Sequence, residues 1–524
     1  MAALLKLILP RFSGFFSAFL LAIAGLVITI GVFGRGIDNY LVSDDWIFLE
    51  RVASGVTASD IYGFFSFQTK WFVRPTQWLV TWGIYSIAGV NPAAYHLFSL
   101  ALHLLNVTLL GLLLWRVLTL CFTRSWGAVL TVAACVLFAT DQSHHESVFW
   151  FSSINELLAA FFRLLVLLLV WIGLTTVRVR VKSAIFTVAW FAFLLALISK
   201  ESAVALPLEI ALFYIIWARF AARRDDNVQG ALLYLAPFAL IVFVWGLVYW
   251  RTSSIELGGA SFQRAGLRLV SPAEAPIEDW VFRFFQYVVA HFRGIRRFAF
   301  TGWGVAFQSV ILVVLVIWAL RGKRWLWLFA FAWFSLALTP YIFSVSVDAI
   351  DKFQTPLRSI GVGGDRYLYY SSAPFNLLVV LTLAWGGKTI SDLFGQSFLD
   401  LRRIVMVLVL SIAFINSTVL VLHETEWDAA GQLAHETLLR AEDAIDAAAP
   451  NETICLLQVT DNVSGKFVFR NGLHSALKIL RERNDVIVLT DVLPENEFEQ
   501  DSTFDVEQCS RKLLMPTAAS FLQK

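Results

Sequence analysis

Asp44 and Asp45 stand side by side in Tyr40-Leu-Val-Ser-Asp-Asp-Trp46, just past a long apolar run. Two adjacent carboxylates repel, and nearby apolar sequence raises the cost of ionising either. A carboxylate in that position can take a proton near neutral pH, as a general base does. Three further polar clusters share the same setting between apolar runs: His144-His145-Glu146, Lys200-Glu201, and Asp365-Arg366. Ionisable residues at the ends of membrane spans are functional candidates, the alternative being solvated interface charges. Adjacent residues do not supply the i,i+3 or i,i+4 spacing that puts metal ligands on one helical face, and no HExxH is present. His144, His145 and Glu146 therefore read as hydrogen-bonding or acid–base groups, and neither a metal nor a cofactor is expected.

A second set is basic. Lys70-Trp-Phe-Val-Arg-Pro75 places Arg74 before a proline, and 251–302 carries Arg251, Arg264, Arg268, Arg283, Arg293, Arg296 and Arg297. Between 281 and 298 the arginines alternate with Phe, Val and Tyr, as in an interfacial amphipathic helix. Two readings stand: anchoring to lipid headgroups, or an arginine cluster whose guanidinium forks hold a lipid phosphate or diphosphate.

The elements that must position these residues are membrane spans. Of 524 residues 58% are hydrophobic and 15% charged, with mean hydropathy +0.69. That excludes an ordinary soluble domain, which is about 25% charged, and gives no basis for nucleic-acid binding. Apolar runs at 13–33, 93–115, 126–140, 156–175, 183–199, 203–218, 229–250, 303–320, 325–345, 367–386 and 403–421 predict about eleven transmembrane helices. Lys6, Arg11, Arg116, Arg124, Arg178, Arg180, Lys182, Arg219, Arg223, Arg224, Arg321, Lys323, Arg324, Lys388, Arg402 and Arg403 all fall on one side of those spans. The positive-inside rule makes that side cytoplasmic. The amino end is then inside, and the carboxyl end and all four polar clusters are outside, at the plasma (inner) membrane. The first span reads as a retained anchor, since it lacks a small-residue cleavage site. The first outer connection, 34–92, is large and holds the Asp pair with a short helix around Trp46–Ala53.

The expected division is a membrane domain over 1–423 and an acidic extracytoplasmic domain over 424–524. The latter has 18 acidic and 9 basic residues, against 21 and 32 in the remainder. Trp427–Ala449 reads as an amphipathic helix. Thr453–Val459 and Asp485–Thr490 read as buried strands with a helix, Asn471–Glu482, between them, so the tail is a small α/β unit. Cys455 and Cys509 would both be exported, where a disulfide is allowed. Gly465–Gly472 is the densest polar-aromatic segment of the tail, a ligand-binding candidate or a plain strand–turn–helix junction.

The order of motifs resembles a known family. Ser43-Asp-Asp-Trp46, Arg74-Pro75, Asn91-Pro-Ala-Ala-Tyr-His96 and Leu102-His-Leu-Leu-Asn106 are similar to the opening of the GT-C superfamily of membrane glycosyltransferases. The protein O-mannosyltransferase and TMTC-like branch is the nearest in pattern. His144-His-Glu-Ser-Val148 with Asn155-Glu-Leu-Leu-Ala159, Ser199-Lys-Glu-Ser202 with Leu206-Pro207, and Asp365-Arg-Tyr-Leu-Tyr369 continue it in register across about 10–421. Asp141-Gln142 stands where the branch has His-Pro, Ile154 where it has arginine, and Asp365 where it has glutamate. No tetratricopeptide pattern follows.

The resemblance implies a GT-C-like, all-helical polytopic fold and sugar transfer from a polyprenyl-phosphate donor to an extracytoplasmic glycan, lipid or protein. The transfer would be inverting and independent of nucleotide sugars. Asp44 or Asp45 is then the expected base, with Asp44 favoured as the first acidic residue of the motif. Lys200 and Arg366, then Arg74, Arg293, Arg296 and Arg297, are expected at the donor phosphate. His144, His145 and Glu146 would support the base or orient the acceptor. The competing reading is a transporter or flippase for lipid-linked saccharide. Such a protein needs a polar path across the midplane, whereas these clusters sit at span ends, and no inverted repeat is evident.

Overall fold

The protein is described by a computed structural model covering residues 2–53, 55–57, 59–60, 74–220, 228–256, 268–269, 284, 287–288, 291, 310, 314–321, 324–345, 365–394, 401–469, 472–481, 485–492 and 509–517. Arg264, Arg283, Arg293, Arg296 and Arg297 lie outside the described residues, as does most of the run at 303–320.

The described part is a bundle of apolar helices with a small α/β unit at one end. Seven helices among the described residues are long and apolar enough to cross a membrane: Ala18–Asp38, Pro92–Cys121, Phe151–Thr175, Val179–Leu197, Glu201–Phe220, Trp325–Ile342 and Arg402–Asp446. Arg124–Ala139 with Gln142–Phe149 makes an eighth if the pair, bent by 43°, is one span. Leu232–Val248 and Ser372–Gly387 are shorter apolar helices. Helix starts follow local chemistry. Pro75 and Pro92 occupy first helical positions, where no amide hydrogen is needed. Asn91 and Thr123 cap the helices that follow them.

Helix Ile154–Thr175 packs on Val179–Leu197, and helix Ala2–Phe33 packs on Arg124–Ala139. Helix Pro92–Cys121 packs on both Arg124–Ala139 and Ile154–Thr175. Small residues set the closest approaches. A Cβ at Gly25 would lie 2.5 Å from Val136 Cγ2, so this crossing accepts only glycine without a shift. Large apolar side chains such as Phe191 and Phe414 remain on the outside of the bundle, as lipid-facing residues do.

The last span does not stop where the composition changes. Leu401–Asp446 is one helix of 46 residues, about 70 Å long at 1.5 Å per residue. It carries the chain out of the apolar bundle and into the tail without a break. The compositional boundary at 423/424 thus lies inside a helix: the composition changes there, but no proline or glycine pair interrupts the backbone. Beyond it, Thr453–Val459 is the central strand of a three-stranded parallel sheet, flanked by Ile487–Val492 and Arg511–Leu514. Helix Leu473–Leu480 lies between the first two in sequence. Cys455 and Cys509 form a disulfide. A ribbon pairs Asn462–Val463 with Lys466–Phe467 across Ser464 and Gly465, both with positive φ, as a two-residue hairpin turn requires.

Candidate active site at the bundle–tail junction

Asp44 opens the short helix Asp44–Ala53. The two carboxylates have different environments. Asp45 is 1% exposed. Its Oδ2 accepts from the Val42 amide at 3.1 Å, and its Oδ1 accepts from the Ser152 amide at 2.7 Å and the Ser152 hydroxyl at 2.5 Å. Burial pushes its pKa from 3.8 up to about 7, against the lowering effect of those three bonds. Asp45 thus ties the turn to the start of the span Phe151–Thr175. Asp44 is only partly buried. The two sequence-adjacent acids separate into one enclosed and one accessible.

The basic residues converge. Arg366 Nη1 pairs with Glu146 Oε1 at 2.8 Å, its amide donates to Glu146 Oε2 at 3.0 Å, and its Nη2 donates to the Tyr367 hydroxyl at 3.2 Å. Lys200 pairs with Glu156 and lies 4.6 Å from the centre of the Tyr367 ring. Tyr341 donates to Glu156 Oε2 at 3.1 Å. Arg74 makes a forked contact with Glu201 at 2.9 and 3.3 Å. Lys200 and Arg366 thus meet at Tyr367, and Arg74, held by Glu201, is near enough for Glu156 and Tyr367 to act on its charge. Burial opposes the charge on Arg74 and Arg366, yet Glu201 for the first, and Tyr367 and Glu146 for the second, hold both pKa values above the ordinary range. Burial moves Lys200 the other way, downward, against the attraction of Glu156.

The three residues 144–146 do not act as one cluster. Successive residues of a tight helical turn point about 100° apart, and the structure uses that divergence. His144 is fully buried, with Nε2 2.7 Å from the Ser372 hydroxyl. It lies in a polar network with Tyr369, His103 and Asn106 inside the bundle. Asp141 braces the same region, accepting from Ser143 and from Asn376 Nδ2 at 2.8 Å. His145 faces the tail instead. Its Nδ1 accepts from the Trp427 indole at 3.1 Å, and its Nε2 is 2.9 Å from Asp365 Oδ2. An indole only donates, so Nε2 carries the hydrogen and His145 is neutral. The His423 ring stacks on it at 4.0 Å.

The tail closes this end of the bundle. A cavity between the two is lined by His145, Glu146, Asp365, Trp427, Gly465, Lys466 and Phe467. Trp150 stacks on Trp427 and contacts Phe467, and Arg366 lies 5.0 Å from the centre of the Trp150 ring. Lys466 pairs with Glu426 at 3.1 Å. No group of three or more His, Cys, Asp or Glu among the described residues is placed to hold a metal ion.

Several of these partners escape a reading by sequence clusters. Glu156, Tyr341 and Trp427 join the site through contacts distant in sequence, whereas Tyr367 is next to Arg366 in the Asp365–Tyr369 motif and Lys466 lies in the polar-aromatic Gly465–Gly472 segment. Glu156 carried the one signal that could have found it, a carboxylate at the head of a long apolar run.

No protein-family model matches the chain, and no curated protein matches it. Among solved structures, ArnT from Cupriavidus metallidurans bound to undecaprenyl phosphate is similar, with 13% identity over 96% of this chain and 90% of that one and a TM-score of 0.46. The same protein in its apo state gives 14% identity and a TM-score of 0.48 over the same shares. The archaeal oligosaccharyltransferase AglB from Archaeoglobus fulgidus, in complex with an inhibitory peptide and a dolichol-phosphate, gives 12% identity over 86% of this chain and 63% of that one, with a TM-score of 0.40.

Proposed function

We propose that this protein is a membrane glycosyltransferase of the GT-C type, moving a sugar from a polyprenyl-phosphate donor to an acceptor hydroxyl on the extracytoplasmic face. The observation that carries the reading is the convergence of Arg74, Lys200 and Arg366 around Glu156 and Tyr367 at one end of an apolar bundle. Three largely enclosed cations beside lipid suit a phosphate that arrives from the bilayer, and their present carboxylate partners hold them until it does. The partly exposed carboxylate of Asp44, in the turn closing the same end of the bundle, supports a base.

The reaction is a single displacement. Asp44 takes the proton of the acceptor hydroxyl as its oxygen attacks the anomeric carbon. The bond from that carbon to the phosphate oxygen breaks, and the electron pair leaves with the lipid phosphate. The phosphate is a good leaving group, so one base suffices, and the cations stabilise the charge it carries away. Asp45 positions Asp44, because its own oxygens are occupied and enclosed. His145 and Glu146 hold Asp365 and Arg366 in place at the cavity, while His144 braces the bundle behind them.

Purified protein in detergent, given a labelled polyprenyl-phosphate sugar or the matching nucleotide sugar together with an envelope extract as acceptor, tests the proposal. Label should move from the lipid donor only. Transfer from the nucleotide sugar alone would overturn it.

A further inference from the structure

The tail touches the Asp44 turn and its helix at several points. Ser43, immediately before Asp44, is buried and has φ +49°, a left-handed conformation that a serine seldom adopts unaided. Its amide donates to the Val468 carbonyl of the tail at 2.8 Å. Gly472, also left-handed at φ +88°, lies directly over it. A Cβ there would overlap the Ser43 carbonyl oxygen and stand 3.0 Å from its carbon and 3.3 Å from Trp46 Cβ. On the other side of the turn, a Cβ at Gly431 would meet the Tyr40 amide at 2.8 Å. Glu50, at the far end of the Asp44 helix, accepts from Ser475 Oγ and Lys478 Nζ, each at 2.6 Å.

We infer that the tail is a positioning element of the transfer site, in which Val468 and Gly472 hold Ser43 in its left-handed conformation and so fix where Asp44 begins its helix. The inference rests on Asp44 being the base. The conformation costs free energy locally and persists because the surroundings over-determine it. Here the surroundings are the tail: one hydrogen bond and one close approach that glycine alone permits. Val468 and Gly472 therefore serve the membrane unit.

The test is Gly472→Ala in the full-length protein, read by steady-state transfer and by amide hydrogen exchange over the turn and over the tail strand 453–459. The expected result is a fall in kcat of roughly 10- to 100-fold, the scale of a misplaced catalytic group. Donor KM should be unchanged, exchange over 41–47 faster, and exchange over 453–459 as in the wild type. Exchange that rises equally over 453–459 would make Gly472 a residue of tail folding only and overturn the inference. So would wild-type kcat and exchange in Gly472→Ala. Ser475→Ala with Lys478→Met covers the case in which Gly472→Ala fails to fold. It removes both donors to Glu50 at the docking surface and should speed exchange over 44–53, unchanged exchange counting against the inference. If the wild type transfers no sugar, the functional reading has failed, and the exchange measurements still decide whether the tail holds the turn.

Discussion

Replacing Asp45 by asparagine tests the division of labour between the two carboxylates. In the wild type, Oδ1 takes both Ser152 donors and Oδ2 takes the Val42 amide. The substituted side-chain amide keeps one acceptor oxygen for Ser152 and turns a donor toward the Val42 N–H. One short-range bond is lost, which costs about 1–2 kcal/mol. Charge acts in the opposite direction. Burial raises the Asp45 pKa from 3.8 to about 7, so the folded protein holds this proton more tightly than the unfolded chain. Its contribution to stability is full below pH ~4 and is lost as pH rises toward and through 7, about 4 kcal/mol in all. Between pH 5 and pH 8 the wild type should lose roughly 2–3 kcal/mol from this group, and D45N should lose none of it. The variant, about 1–2 kcal/mol less stable than the wild type below pH ~4, is therefore about equal to it at pH 5 and more stable by roughly 2–3 kcal/mol at pH 8. Chemical unfolding of both proteins in one detergent at the two pH values measures the difference. A gap that stays the same at both pH values would refute the argument that burial dominates Asp45.

Arg366→Gln leaves Glu146 buried without its cation, and loss of one member of a buried pair costs about 3–5 kcal/mol. Glu146→Gln together with Arg366→Gln should recover most of that stability in a thermal melt, while donor KM stays raised. Trp427→Phe removes the donor to His145 Nδ1 and should weaken tail docking by about 1 kcal/mol, seen as faster proteolysis of the tail. Cys509→Ser opens a loop whose ends are 54 residues apart and should destabilise the tail by about 4 kcal/mol on the chain-entropy account, with the same change on adding reductant to the wild type.

The spans were legible because burial in lipid demands long apolar runs, and most of the runs beginning at 13, 93, 156, 183, 203, 325 and 403 reappear as helices. The tail's strands and intervening helix were legible from short apolar runs and a glycine turn. The register of the site was not. His144, His145 and Glu146 are one motif in sequence, yet local helical geometry sends His144 to Ser372 and His145 to Trp427. The Lys200–Glu156 and Arg366–Glu146 pairs join residues 44 and 220 positions apart, a separation that no periodicity encodes. The continuous 401–446 helix was hidden by its own composition, because polarity reports solvent and not backbone continuity. The role of Gly472 depends on Ser43, 429 residues earlier, and only the packed structure brings the two together.

In the proposed reaction Asp44 draws the proton from the acceptor as sugar leaves a polyprenyl phosphate. Single-turnover transfer from a labelled polyprenyl-phosphate sugar, measured for Asp44→Asn and Asp45→Asn separately under conditions where both are folded, tests it most directly. The prediction is a loss of about 10²- to 10⁴-fold in Asp44→Asn with donor binding retained, and a much smaller loss in Asp45→Asn. Wild-type turnover in Asp44→Asn would contradict the claim.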